Sequence, residues 1–102
     1  MKKILVLAAL AAFGAGAVAG PTEDAMTKAG CMACHSLDKK LVGPSFKDIA
    51  AKYKGQDVTA KLMEKVRKGG SGVFGPVPMA PNTPDKIDDA SLKAAVELIL
   101  KS

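Results

Sequence analysis

Cys31-Met32-Ala33-Cys34-His35 decides how this chain is read. Two residues separate the thiols, which places them about one helical turn apart and lets both reach one edge of the same flat ligand. A histidine follows at once and carries its imidazole beneath the centre of that ligand. This C-x-x-C-H arrangement attaches a c-type haem: each thiol adds to a vinyl group, and the imidazole becomes the proximal ligand of the iron. A bare C-x-x-C would be shared with thioredoxin-like redox sites and with half zinc sites. The adjoining His35 separates these readings.

The chain has 102 residues, enough for one domain. Upstream of the motif it opens Met1-Lys2-Lys3, runs apolar from Ile4 to Phe13 and ends in small residues at Ala17-Val18-Ala19. That pattern predicts a secretory signal peptide at 1–19 and a mature chain at 20–102, with cleavage after Ala17 as the alternative. The apolar stretch of 16 residues at 4–19 falls short of the roughly 20 that a spanning helix needs, so retention as an anchor is the minor reading. Without Lys2 and Lys3 the chain keeps 13 basic against 10 acidic side chains, a net charge of +3. Three aromatics remain (Phe46, Tyr53 and Phe74), too few for a base-stacking surface, and nucleic acid is not the expected partner. A chain this short buries a thin core, and a covalently held haem supplies the missing apolar bulk.

The remaining segments predict an all-α domain of three or four short helices wrapped on a haem. A short helix fills 20–30, with Glu23 and Asp24 early and Lys28 late, as the macrodipole prefers. Gly30 reads equally as a helix stop or as a point of close helix crossing. Pro44 opens the next helix, where Phe46, Ile49, Ala50 and Tyr53 share one face and Gly55 ends it. Asp57 reads as the N-cap of a helix over 58–68. There Lys61, Lys65, Arg67 and Lys68 read most simply as a solvated basic face. From Gly69 to Pro84, four glycines and four prolines forbid a regular helix and mark a functional loop. Asp88 caps the last helix, Ile87 and Leu92 have the spacing of a hydrophobic staple, and Leu92, Ala95, Val96, Ile99 and Leu100 form its stripe.

The sixth coordination position of the iron then has few candidates. His35 is the only histidine. Among the methionines of 20–102, Met26 and Met32 are tied to the proximal side and Met63 sits among core positions, where Met is usually filler. Met79 lies in the Pro-stiffened loop and is the expected distal ligand, with an open iron as the alternative. His/Met ligation leaves no place for oxygen or peroxide and raises the reduction potential, as an electron carrier requires.

The sequence resembles the bacterial class I c-type cytochromes, in particular the small cytochrome c-551 (cytochrome c8) group. The likeness covers essentially 22–102 and rests on Gly30-Cys31-Met32-Ala33-Cys34-His35, on Val42-Gly43-Pro44, on Lys47 through Tyr53, and on Gly72-Val73-Phe74-Gly75-Pro76-Val77-Pro78-Met79-Ala80-Pro81-Asn82. It implies an all-α, small class I cytochrome c fold of three to five short helices wrapped around one covalently bound haem, and a monomeric periplasmic one-electron carrier moving between a membrane bc-type complex and a terminal reductase or oxidase, such as nitrite reductase or cytochrome oxidase. It also implies that the Pro44 carbonyl accepts a hydrogen bond from His35, that Asn82 reaches the ligand sulfur, and that Lys65 stands where the family often has an Arg holding a propionate. Phe74 replaces a family Trp, and the last helix lacks the usual aromatic. These departures bear on the potential and its pH dependence rather than on the fold. Partner docking would use the haem edge, with Lys28, Lys39, Lys40 and Lys47 as candidate contacts.

Two other classes compete. A haem enzyme or gas sensor needs an open iron and a distal histidine or arginine constellation, which the residues around Met79 lack. A thiol oxidoreductase on Cys31 and Cys34 needs a βαβ pattern around the motif, and the sequence has none. A carrier tethered by its leader would keep the same chemistry in another place.

Overall fold

A computed structural model describes residues 20–102; the predicted signal peptide at 1–19 lies outside the described residues. Among the described residues there are five helices and no strands, with isolated bridge pairs at His35–Lys40 and Gly70–Met79.

Helix α1 (Pro21–Ala29) begins with proline at its first position, and the Glu23 carboxylate accepts the Gly20 N–H at 3.1 Å. Gly30 ends α1, and the space around it is open, which settles it as a stop rather than a crossing point. Helix α2 (Cys31–Cys34) is a single turn that carries both cysteines. Helix α3 (Phe46–Lys52) starts later than the sequence predicts. The buried Ser45 hydroxyl accepts the Asp48 N–H at 3.0 Å and caps it, so Pro44 stays outside the helix with its carbonyl free to turn elsewhere. Tyr53 is buried and closes α3.

Helix α4 (Thr59–Lys68) also departs from the expected cap. Val58, not Asp57, is its N-cap residue and is 8% exposed. Burying Val58 sets where the chain enters the helix and leaves Asp57 one position too early. Helix α5 (Asp89–Leu100) follows its sequence signals closely. Asp88 accepts the Ser91 N–H at 2.7 Å, and that bond holds its carboxyl below the usual range. Ile87 and Leu92, the staple pair, are both buried in the core.

Helix α5 is the hub, packing against α1, α3 and α4. Met26, Phe46, Ile87, Leu92, Ala95 and Val96 form one buried cluster, with Leu62, Met63 and Val66 of α4 packed against it. The basic run on α4 is only partly solvated. Lys61 and Lys68 are exposed and Lys65 is half-buried, while Arg67 folds its side chain inward to 19% exposure. Truncating Leu92 to Ala is expected to destabilise the holoprotein by about 2–5 kcal/mol in denaturant titration, because the core around it is too thin to collapse. Lys93→Ala, on the solvent face of the same helix, is expected to leave the midpoint nearly unchanged.

Candidate haem site

The proximal half is built from α2 and the loop that follows it. The His35 N–H donates to the Cys31 carbonyl at 3.0 Å, and the Gly43 N–H donates to the Cys34 carbonyl at 2.7 Å. Further along, the Phe46 and Lys47 N–H groups donate to the Ser36 and Leu37 carbonyls at 2.9 and 3.0 Å. These bonds fold the 36–45 loop back onto the motif and bring three restraints to the His35 ring. Nδ1 lies 2.7 Å from the Pro44 carbonyl oxygen. A carbonyl can only accept, so Nδ1 carries the proton and Nε2 keeps the lone pair that a metal requires. The Phe46 ring stacks at 5.5 Å between centroids and 25° between planes. Gly43 presses on the ring so closely that a Cβ there would stand 2.6 Å from His35 Cε1. Burial pushes the Cys31 thiol up, so at neutral pH it is an uncharged group in a half-buried setting.

The methionines sort by environment. Met26 is 1% exposed inside the core, and Met63 packs against the core from α4. Met32 is 43% exposed on α2 itself. Met79 is half-buried, and its backbone pairs with Gly70 in both directions, N–H to carbonyl, at 2.9 and 3.0 Å. Gly69, at φ +71°, makes that pairing possible, because a Cβ there would collide with the Met79 carbonyl.

Lys65 reaches the same pair. Its Nζ would lie 3.0 Å from a Cβ on Gly70. Asn82 donates its N–H to the Val66 carbonyl at 2.9 Å, and its Nδ2 reaches the Ala80 carbonyl at 3.2 Å. Lys52 Nζ sits 5.7 Å from the centre of the Phe74 ring, using the face of the residue that stands where the resemblance places a Trp.

The residues present fit a haem. Two thiols lie one turn apart on one short helix, an imidazole with a free Nε2 follows, and a thioether is held on a pinned loop. Large apolar side chains stay out of the core on both loops: Leu37, Leu41 and Val42 on the first, and Val73, Phe74 and Val77 on the second, each 41–58% exposed. A flat apolar ligand needs such contacts. Two surface depressions lie elsewhere, about 190 Å³ between α1 and the 84–91 segment and about 390 Å³ beside Tyr53 and the end of α5.

This site and fold define a small all-α protein that binds haem covalently. A family profile described as cytochrome c matches residues 22–102, and the chain belongs to the cytochrome c family as a bacterial class I c-type cytochrome. It is 52% identical over 85 residues to a cytochrome c2 of Rubrivivax gelatinosus, covering 82% of this chain and 99% of that one. It is 42% identical over 101 residues to a cytochrome c-552 of Hydrogenobacter thermophilus, covering 98% and 97% respectively. The crystal structure of Nitrosomonas europaea cytochrome c552 superposes with a TM-score of 0.69 at 44% identity, covering 76% of this chain and 95% of that one. The family binds a covalently attached haem c and works as a small electron carrier with redox protein partners.

Some working parts escape a sequence reading. Gly43, Gly69 and the Phe46 stack depend on contacts between segments that no local pattern announces. Arg67 did carry a signal, as the only arginine of the chain. Replacing Gly43 by Ala is expected to drive the His35 ring off its hydrogen bond and to destabilise the holoprotein by about 1–3 kcal/mol, read by denaturation and by the proton resonances of the imidazole.

Proposed function

We propose that the chain is an exported, periplasmic, monomeric monohaem carrier that moves single electrons from a membrane bc-type complex to a terminal reductase or oxidase, such as nitrite reductase or cytochrome oxidase. Cys31 and Cys34 hold the haem as thioethers, His35 is the proximal ligand and Met79 the distal one. The Pro44 carbonyl sets the imidazole tautomer, Asn82 steadies the ligand loop close to Met79, and Lys65 is the charge partner for a propionate. The haem supplies one-electron chemistry between the ferric and ferrous states. His35 and Met79 would hold the iron in both oxidation states, so few of the protein's groups would move when the electron does.

The observation that carries this reading is the pinned backbone of Met79. It is the one methionine of 20–102 that is neither packed with the core nor part of the attachment motif. Export rests on the basic, apolar and small-residue pattern of 1–19, and no described helix is long and apolar enough to cross a membrane. The visible spectrum of the purified holoprotein is the test of the ligation. The ferric form is expected to show the weak long-wavelength sulfur-to-iron charge-transfer band, and Met79→Ala is expected to abolish it. A wild-type spectrum without that band would sink the assignment.

Docking rests on charge and apolar surface together. Lys39 and Lys40 share the first loop with exposed Leu37, Leu41 and Val42, and Lys28 and Lys47 are exposed nearby in sequence. Long-range attraction raises encounter rates more than affinity. The second-order rate of electron transfer to an acidic redox partner is therefore expected to fall as ionic strength rises, and Lys39→Glu with Lys40→Glu to flatten that dependence, both read by stopped flow.

A further inference from the structure

We propose that Arg67 is a positioning residue for Met79, fixing both ends of the segment that runs from the Met79 loop into α5 and so holding the thioether where the iron needs it; this rests on the His35/Met79 reading above. Arg67 stands on the last turn of α4 with its side chain 19% exposed. Nη1 donates to the Asn82 carbonyl at 3.2 Å and to the Ile87 carbonyl at 2.7 Å, and Nη2 donates to Asp89 Oδ1 at 2.6 Å. One guanidinium thus ties the residue three places after Met79 to the residue before the α5 cap and to the first residue of α5.

The preceding residue of α4 completes the grip, because Val66 accepts the Asn82 N–H at 2.9 Å. Between these ends lies only a short turn, with the Lys86 N–H on the Thr83 carbonyl at 2.9 Å. On its other side Met79 is held by the pair with Gly70. The methionine therefore lies between two anchors, and Arg67 is the side chain that closes the second.

The pair with Asp89 contributes little by itself, because the carboxylate is 86% exposed. The two carbonyls are what bind the loop. A planar fork meets three acceptors in fixed directions at once, whereas a lysine ammonium is a point charge on a flexible stem and cannot span them. Losing the fork leaves the segment after Met79 held to α4 only through Asn82 and Val66, and raises the fraction of time the Met79 sulfur is off the iron. An external ligand would read that fraction directly, since it binds only when the methionine has left.

The test is an imidazole titration of the ferric holoprotein, following loss of the sulfur-to-iron band, with the denaturant midpoint measured alongside. Arg67→Ala and Arg67→Lys are expected to raise the apparent imidazole affinity about tenfold, the size of one charge-assisted hydrogen bond. Arg67→Lys keeps the charge and carries the test if Arg67→Ala does not fold. Leu92→Ala, which weakens the core away from the loop, is expected to lower the midpoint and leave imidazole affinity within about twofold of wild type. If the Arg67 variants lose stability yet bind imidazole like wild type, Arg67 is structural only and the proposal fails. It fails equally if Leu92→Ala raises imidazole affinity as much as they do. A wild-type protein with no sulfur-to-iron band would overturn the ligation reading and this proposal together, which distinguishes that failure from the others.

Discussion

The hydrogen bond from His35 Nδ1 to the Pro44 carbonyl, 2.7 Å long, joins the haem-binding motif to the body of the fold. Pro44 can offer that carbonyl because Ser45 takes over the capping of α3, and Ser45 is held there because Phe46 is buried against α5. Phe46 then stacks on the same imidazole that Pro44 orients. One side chain thus serves the core and the ring together. The direction of the His35 ring nitrogens is set by packing that begins far along the chain, on the last helix.

The two sides of the site are held by different means. His35 is restrained by a side-chain hydrogen bond, a stack and a backbone contact, supplied by Pro44, Phe46 and Gly43 at the end of the loop that follows it. Met79 belongs to a loop with no helix of its own, and its restraint is mostly backbone to backbone, through Gly70 and through Asn82 to α4. Helix α4 therefore acts as a beam for the distal side, as α3 does for the proximal side. Both beams rest on α5. A thin core can support the site because each loop is tied to a helix that the hub already holds.

Much of this was legible in the sequence, and the pattern of what was not is informative. The attachment motif, the Gly- and Pro-rich loop, Met79, and the cap and staple of α5 are local signals, each complete within a few residues. The starts of α3 and α4 were misplaced by a residue or two because burial of Ser45 and Val58 outweighed the helix-opening preference of Pro44 and the capping preference of Asp57. Arg67 read as part of a solvated basic run, since its neighbours Lys61 and Lys68 are exposed. Its inward turn depends on carbonyls from residues 82 and 87, which no helical pattern on α4 can reveal. Gly43 lies in the Val42-Gly43-Pro44 stretch of the family resemblance, and an imidazole ring lies where its Cβ would be, a contact no local pattern announces.

The hydrogen bonds that orient His35 and pin the Met79 backbone make no use of the apolar side chains of the two loops. Leu37, Val42, Val73 and Val77 stand outside the core cluster. Their replacement by other apolar residues would keep the contacts a flat ligand needs and reshape the surface a partner meets, while leaving the hydrogen bond of His35 and the pinning of Met79 untouched. The architecture thereby separates two kinds of change. Mutations that redirect the carrier to a new partner can accumulate on these loops one at a time, without passing through forms that have lost the hydrogen bonds of His35 and Met79.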